Sequence, residues 1–330
     1  MTRNSISRRG FLATGAGGVL AASFGASPAR AATDVAFQLS WLPSVQFAGS
    51  YIAKSRGYWN DLGLSVSLNP GGPNAPVEPP VVAGNALLGI SAADYTAAAV
   101  AQGAPFRIIA VAMQKNPFVI ASLPDKPVNV PKDLEGRKLG MALANTPVLK
   151  ALCSLNDVDF DAIEIVPTQY DAAPLLAGQV DCLLCWETDL PVAMMMRGIK
   201  PVTMLMADYG YALHSQTYIA TQDSIANRRA DLIALLRGEI HGWNDFHADP
   251  DAAAALTVDM FPDVGLNLDA QKLQAALQVP LMFTDVTQAH GFGWFTDDSI
   301  AANIKTLALL GQDVSADLWD RSLLEEIHAS

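Results

Sequence analysis

Short apolar runs alternate with segments of helical period along most of the chain. Residues 35–39 (Val-Ala-Phe-Gln-Leu) read as a buried strand that stops at Trp41-Leu42-Pro43. Phe47, Tyr51, Ile52 and Tyr58 then recur at the spacing of one helix face. Residues 64–68 predict a second strand, broken at Pro70-Gly71-Gly72-Pro73, where glycine and proline punctuate a turn. A helix over 79–84, a strand over 87–90, a helix from Ser91 and a strand over 106–112 complete one unit. The pattern then restarts, with strands over 139–142, 163–166, 180–185 and 200–206 and helices over 146–156, 170–177 and 191–196. Alternation of this kind predicts an α/β fold built from two doubly wound, mainly parallel sheets.

Two further extended segments, 118–122 and 217–221, read as crossovers from the first unit to the second and back. Beyond them, Asp223 or Ser224 is expected to cap one long helix bearing Ile225, Leu232, Leu235, Leu236, Ile240 and Trp243 near one stripe. Asp249 caps a second helix, and the remainder to Ser330 is helical. That block has too few strands for a third α/β domain and should pack on the first unit. The expected division is residues 34–120 with 222–330 in one lobe and 121–221 in the other. Two lobes joined by a two-segment hinge form a device for closing over a ligand.

Composition then narrows the possibilities. The chain has 330 residues, 51% of them apolar, and a formal net charge of −12. An acidic balance argues against nucleic acid or an anionic membrane surface as partner, since both need basic patches. In residues 1–31, Arg3, Arg8 and Arg9 precede an apolar stretch over 11–24 and then Ala29-Arg30-Ala31, the order of an export signal. Ser7-Arg8-Arg9-Gly10-Phe11-Leu12 is similar to a twin-arginine signal, which points to the periplasm. Cysteines stand only at 153, 182 and 185, an odd number, so disulfides are not expected to hold the fold.

Open α/β sheets bind ligands beyond the carboxyl ends of their strands. In the first unit this rule selects Trp41 and Gln46, the 70–74 turn, Ser91, Asp94, Met113 and Gln114. In the second it selects Asn145, Thr146, Tyr170, Trp186, Glu187, Thr188 and Asp189, with Tyr209 or Tyr211. Trp41 and Trp186 are expected at equivalent positions after their strands, placing a flat ligand between two indoles while Glu187 or Asp189 accepts from ring amino groups. Asp94 has a second reading, as a helix-start charge meeting the dipole. Arg and Lys are nearly absent from these loops, which favours a neutral or weakly cationic heteroaromatic ligand over a sulfonate or nitrate.

The same residues carry a family resemblance. Leu39-Ser40-Trp41-Leu42-Pro43, Gln46-Phe47-Ala48-Gly49-Ser50-Tyr51-Ile52-Ala53-Lys54, Arg56-Gly57-Tyr58-Trp59 and Gly63-Leu64-Ser65-Val66 resemble the opening of the NMT1/THI5-like (SsuA/THI5) substrate-binding proteins. Gly89-Ile90-Ser91-Ala92-Ala93-Asp94, Leu134-Glu135-Gly136-Arg137-Lys138-Leu139-Gly140 and Gly178-Gln179-Val180-Asp181 are similar to later blocks of that family. The resemblance covers roughly residues 34–245. It implies a periplasmic-binding-protein type II fold and, as partners, a small-molecule ligand and the membrane permease of an ABC importer. Thiamine-pyrimidine precursors, flavin-like compounds and alkanesulfonates are the ligands it implies, bound by a monomer without cofactor. Trp186-Glu187-Thr188-Asp189-Leu190-Pro191 resembles the family's ligand-contacting segment.

Catalytic alternatives find less support in the residues. The family includes a pyrimidine synthase with a Cys-rich iron motif, and no such motif occurs here. Cys182-Leu183-Leu184-Cys185 has metal or redox spacing, but side chains three apart on a strand face opposite ways, so packing thiols are expected. His241 and His247, six apart, do not share a helix face, and Gly89-Ile90-Ser91-Ala92-Ala93 lacks partners for a nucleophile. Neither a metal nor a catalytic residue is expected.

Overall fold

The computed structural model describes residues 32–329. The twin-arginine-like segment and its cleavage site lie outside the described residues.

Ten strands form two five-stranded sheets. The first contains β1 (Thr33–Gln38), β2 (Leu64–Asn69), β3 (Leu88–Ala92), β4 (Phe106–Met113) and β10 (Ser215–Thr221), in the order β2-β1-β3-β10-β4. The second contains β5 (Phe118–Ser122), β6 (Lys138–Met141), β7 (Glu164–Pro167), β8 (Cys182–Trp186) and β9 (Val202–Leu205), in the order β7-β6-β8-β5-β9. Each sheet is parallel except for one inserted strand. β10 runs antiparallel between β3 and β4, and β5 antiparallel between β8 and β9.

The two inserted strands therefore belong to the sheets they enter. Phe118 to Ser122 pairs fully inside the second sheet, and Ser215 to Thr221 inside the first. The chain passes between sheets over 114–117 and 206–214, a few residues before each segment read from the sequence as a crossover. All seven residues of β10 are buried, so their side chains carry no alternation that would assign them a sheet.

The long helix expected after β10 is two. Gln222–Asn227 and Arg229–Ala248 are separated at Arg228, and the cap is Thr221, whose hydroxyl accepts from the Ser224 amide at 3.1 Å. Asp249 caps Pro250–Met260 as expected, accepting from the Ala252 amide at 2.9 Å. The C-terminal block reaches further than the first sheet. Helix Leu268–Met282 packs on Leu190–Met195, and Asp297–Leu309 on Thr146–Leu155, both beside the second sheet. It also extends the edge of β4 through bridges Ile108–Trp319 and Val111–Gly293. One hydrophobic cluster accordingly runs through residues of both sheets, and a smaller one holds Val119, Ala121, Leu183 and Cys185. Cys182 lies in the large cluster and Cys185 in the small one, on opposite faces of β8. Burial pushes the Cys182 thiol up to about 12, and Cys185 up as well, which leaves both unreactive at neutral pH.

The tightest packing in the first unit is between helices Ala48–Ser55 and Arg229–Ala248. A Cβ on Gly242 would overlap the Gly49 carbonyl, one on Gly49 would overlap the Trp243 indole, and one on Gly238 would overlap Trp59. Beneath this crossing lies a buried polar knot. The Tyr218 hydroxyl donates to Glu239 at 2.6 Å and accepts from Trp243 Nε1 at 2.8 Å, and Trp243 Nε1 also reaches Glu239 at 3.1 Å. Ser50 lies beside the carboxylate but makes no well-aligned bond, so Glu239 Oε1 has no partner. Desolvation outweighs these donors and raises Glu239 to about 7. His214, on the return crossover, is shifted the other way. Burial lowers it to about 3, and its neutral Nδ1 accepts from Trp319 Nε1 at 3.3 Å.

Two predictions follow from this packing. Gly242→Ala forces two backbones apart and should cost about 2 kcal/mol or more, read as a Tm several degrees below wild type. An unchanged Tm would show that the crossing relaxes freely. A carboxyl raised to about 7 contributes stability at low pH that is lost as pH climbs from 4.5 through 7, whereas a histidine lowered to about 3 contributes stability above 6.5 that is lost as pH falls toward 3. Urea unfolding of Glu239→Gln across pH 5–8 should therefore show stability, relative to wild type, rising with pH, by a total on the order of 2–3 kcal/mol. A constant offset would mean that Glu239 does not titrate in this window.

Candidate functional site

The carboxyl ends of β1 and β2 are laced together by hydrogen bonds to main-chain carbonyls. Gln38 Nε2 donates to the carbonyls of Leu39, Asn69 and Pro70 at 3.0, 3.3 and 3.2 Å, and the Gly71 amide donates to Trp41 O at 3.0 Å. Gly71 sits so close to the Ser40 backbone that no Cβ fits, so the 70–74 turn acts as a brace for the Trp41 loop. Trp41 itself is 42% exposed and pairs with no other ring among the described residues. Gln46 is buried in the short turn Val45–Phe47, and its carbonyl accepts from Gln216 Nε2 at 3.1 Å. Gln216 holds a left-handed backbone (φ 48°) at the bulge where β10 begins. Met113 is fully buried at the end of β4, paired with Ser215. Gln114 donates to the carbonyls of Val111 and Trp294.

Beyond β3, Ser91 Oγ donates to Glu78 Oε1. Asp94 opens helix Ala93–Ala101, and its carboxyl meets the backbone amides of Asp94 and Tyr95, as a helix-start charge would. That accounts for one oxygen. Asp94 Oδ1 is buried without a partner, and desolvation holds this carboxyl above its ordinary range, with Glu78 adding to the effect.

In the second sheet, Asn145 and the start of helix Thr146–Leu155 follow β6, and Thr146 spends its hydroxyl on Leu143 O at 2.7 Å. Tyr170 is in a loop and 67% exposed, with the helix beginning only at Ala173. Trp186 ends β8, half-buried and edge-on to Phe118 (6.2 Å, 83°), and Phe118 is edge-on to Tyr211 (6.3 Å, 79°). Glu187 Oε1 accepts from Thr203 Oγ1 at 3.1 Å while Oε2 is buried and unpaired, and burial raises this carboxyl. Thr188 is buried. Asp189 is exposed, and desolvation raises it as well.

The two crossovers meet at Asn116. Its Nδ2 donates to Leu213 O at 2.9 Å and Ser215 Oγ at 3.0 Å, and its Oδ1 accepts from the Phe118 amide at 3.0 Å. Lys115 pairs with Asp208 at 2.8 Å across the same two segments. Tyr211, on the return crossover, is fully buried with an unpaired hydroxyl and lies within electrostatic reach of Asp94. Tyr95 lies within such reach of Tyr170.

The structure thus brings Asp94, on the helix after β3, within electrostatic reach of Tyr211, ties Ser91 to Glu78, and links Tyr211 through Phe118 to Trp186 at the end of β8. It does not make Trp41 and Trp186 equivalent. β8 corresponds in sheet order to β3, so the counterpart of Trp186 is Ala92, while Trp41 follows β1, whose counterpart is β6. Two short apolar strands followed by Trp look alike in sequence, and only their place in the sheet separates them. Glu78, Tyr95, Asn116 and Phe118 escaped the sequence reading. The one available signal was Lys115-Asn116-Pro117, a polar break between two strand patterns.

Four carboxyls, Glu78, Asp94, Glu187 and Asp189, line this region, and its nearest base on the crossovers, Lys115, is already paired. Among the described residues no group of three or more His, Cys, Asp or Glu is arranged to hold a metal ion. Two open depressions, of about 520 and 430 Å³, lie instead at the start of β4 around Arg107 and Asp320, the end of the sheet away from these loops.

A family model described as NMT1/THI5 like matches residues 44–253. The riboflavin-binding protein RibY of Chloroflexus aurantiacus is 24% identical over 280 residues, 81% of this chain and 78% of its own. The periplasmic aliphatic sulphonate binding protein SsuA of Escherichia coli superposes with a TM-score of 0.66 at 15% identity, covering 84% of this chain and 92% of its own. The desulfurization enzyme DSZB does so at 0.60 and 15%, covering 89% and 98%. The shared fold is that of the periplasmic binding proteins, with one antiparallel strand inserted in each sheet. A family match over more than half of the sequence, on the strands and loops just described, means that the chain belongs to the NMT1/THI5-like family.

Proposed function

We propose that the chain is an exported substrate-binding protein of an ABC importer that captures a small heteroaromatic ligand between two lobes. One lobe carries the first sheet and the other the second, with the hinge at 114–117 and 206–214. The observation that carries this reading is the chain of groups from both sheets around the crossovers. Asp94 Oδ1, Tyr211 OH and Glu187 Oε2 are buried without partners, beside the edge-to-face rings Tyr211, Phe118 and Trp186. Each buried unpaired group costs about 1–3 kcal/mol, a cost that a bound ligand with matching polar groups would offset. Trp41, Asn145, Thr146 and Tyr170 complete the ligand's surroundings in this reading, with Gln46, Ser91, Met113 and Thr188 behind them. Family membership and a riboflavin-binding relative support it.

An alkanesulfonate is the second reading, favoured by the fold shared with SsuA. Four carboxyls with no unpaired base among the crossover residues oppose it, because a sulfonate brings only acceptors and negative charge. Catalysis of the kind suggested by the fold of DSZB has less support. Cys182 and Cys185 face opposite sides of their strand, and although Ser91 and Thr203 donate to Glu78 and Glu187, no histidine joins either pair among the described residues.

A thermal-shift comparison tests the class. Riboflavin or a 4-aminopyrimidine should raise Tm by mass action, and ethanesulfonate should not. A shift with the sulfonate alone would transfer the protein to the second reading. Trp186→Ala should weaken binding by about tenfold or more, since an aromatic contact is worth about 0.5–1.5 kcal/mol beyond its area. Titration showing equal affinity in wild type and Trp186→Ala would remove stacking from the mechanism.

A further inference from the structure

We propose that Asp94 and Tyr211 together read one edge of the ligand ring, an N–H donor next to a carbonyl or ring-nitrogen acceptor. The inference rests on the heteroaromatic reading above and specifies which face of such a ligand is recognised.

The argument begins with what each group lacks. Asp94 is tied by its backbone contacts to the first turn of its helix, which leaves Oδ1 buried and facing no donor. Tyr211 is fully buried, and its hydroxyl has no acceptor. The two are close enough to feel each other's charge, yet no hydrogen bond joins them. Ser91 does not relieve Asp94, because its hydroxyl proton is given to Glu78. An orphan acceptor and an orphan donor therefore stand where the first sheet meets the return crossover, the two elements being tied by the Ala93 amide, which donates to His214 O at 3.1 Å.

The complement of that pair is a donor beside an acceptor on a rigid frame. An imide N–H flanked by carbonyls, or an amino group beside a ring nitrogen, satisfies both at once. A simple ammonium would pair with Asp94 but leave the Tyr211 hydroxyl unmet. A sulfonate or carboxylate would meet Tyr211 and be repelled by Asp94 and Glu78. Selection by buried polar groups is strong, because an analogue without the matching atom leaves the protein's own group unpaired. The edge-to-face contact of Phe118 with Tyr211 fixes the phenol ring, so the hydroxyl direction is set before the ligand arrives.

The test uses riboflavin, whose imide N3–H lies between two carbonyls, and N3-methylriboflavin, titrated by flavin fluorescence against the full-length protein. In wild type, N3-methylation should weaken binding at least tenfold, and Tyr211→Phe should weaken riboflavin binding by about tenfold. In Asp94→Ala the methyl group should lose its effect, the two flavins binding within about twofold of each other, because the acceptor it blocks is gone. Equal affinity of wild type for both flavins would overturn the edge assignment without needing any variant to fold. So would a methyl penalty that persists undiminished in Asp94→Ala. In either case a loss of affinity in Trp186→Ala would leave the aromatic-capture reading standing. Wild type that binds no riboflavin at all would remove that reading and this inference with it.

Discussion

The candidate site depends on how two short segments are fastened to each other. Residues 114–117 and 206–214 are the places where the chain changes sheets, and Asn116 bridges them with every polar atom of its side chain satisfied. Because Asn116 also accepts from the Phe118 amide, the first residue of β5 is set relative to β10. Phe118 in turn orients Trp186 on one side and Tyr211 on the other. A buried amide with all its bonds made is costly to disturb. In the reading proposed above, this amide marks the axis about which the two sheets would move.

Around this axis the charges are one-sided. Desolvation raises Asp94, Glu187 and Asp189, and the crossover base is held by Asp208. Carboxyls held in a partly desolvated region seek donors. Family membership alone does not name the ligand, and the reading proposed above rests on this electrostatic setting. The relative that binds riboflavin and the neighbour that binds sulphonates share a fold with the chain.

The supporting core holds two groups whose protonation is driven in opposite directions by the same cause. Burial favours neutral forms, which raises the Glu239 carboxyl and lowers the His214 imidazole. Glu239 lies where β10 meets the close helix crossing, and His214 lies on the return crossover against Trp319. Their contributions to stability change with pH in opposite senses, so between pH 4.5 and 6.5 the wild-type profile is flatter than either group alone would make it.

The amino-acid sequence by itself determined the alternation of strands and helices, the Asp249 cap, the opposed faces of Cys182 and Cys185, and the loops that follow the strands. These are local properties, set by the two-residue and 3.6-residue repeats of the backbone and by side chains that bond within a turn. Tertiary structure alone decided which sheet Phe118 to Ser122 and Ser215 to Thr221 would join, because strands buried on both faces show no alternation to direct them. It also decided that Trp41 and Trp186 are not counterparts, that the C-terminal helices lean on both sheets, and that Asp94 comes within electrostatic reach of Tyr211. Pairings of that kind link residues far apart in the chain, and no periodicity records them. They follow from which surfaces remain to be covered once the local elements exist.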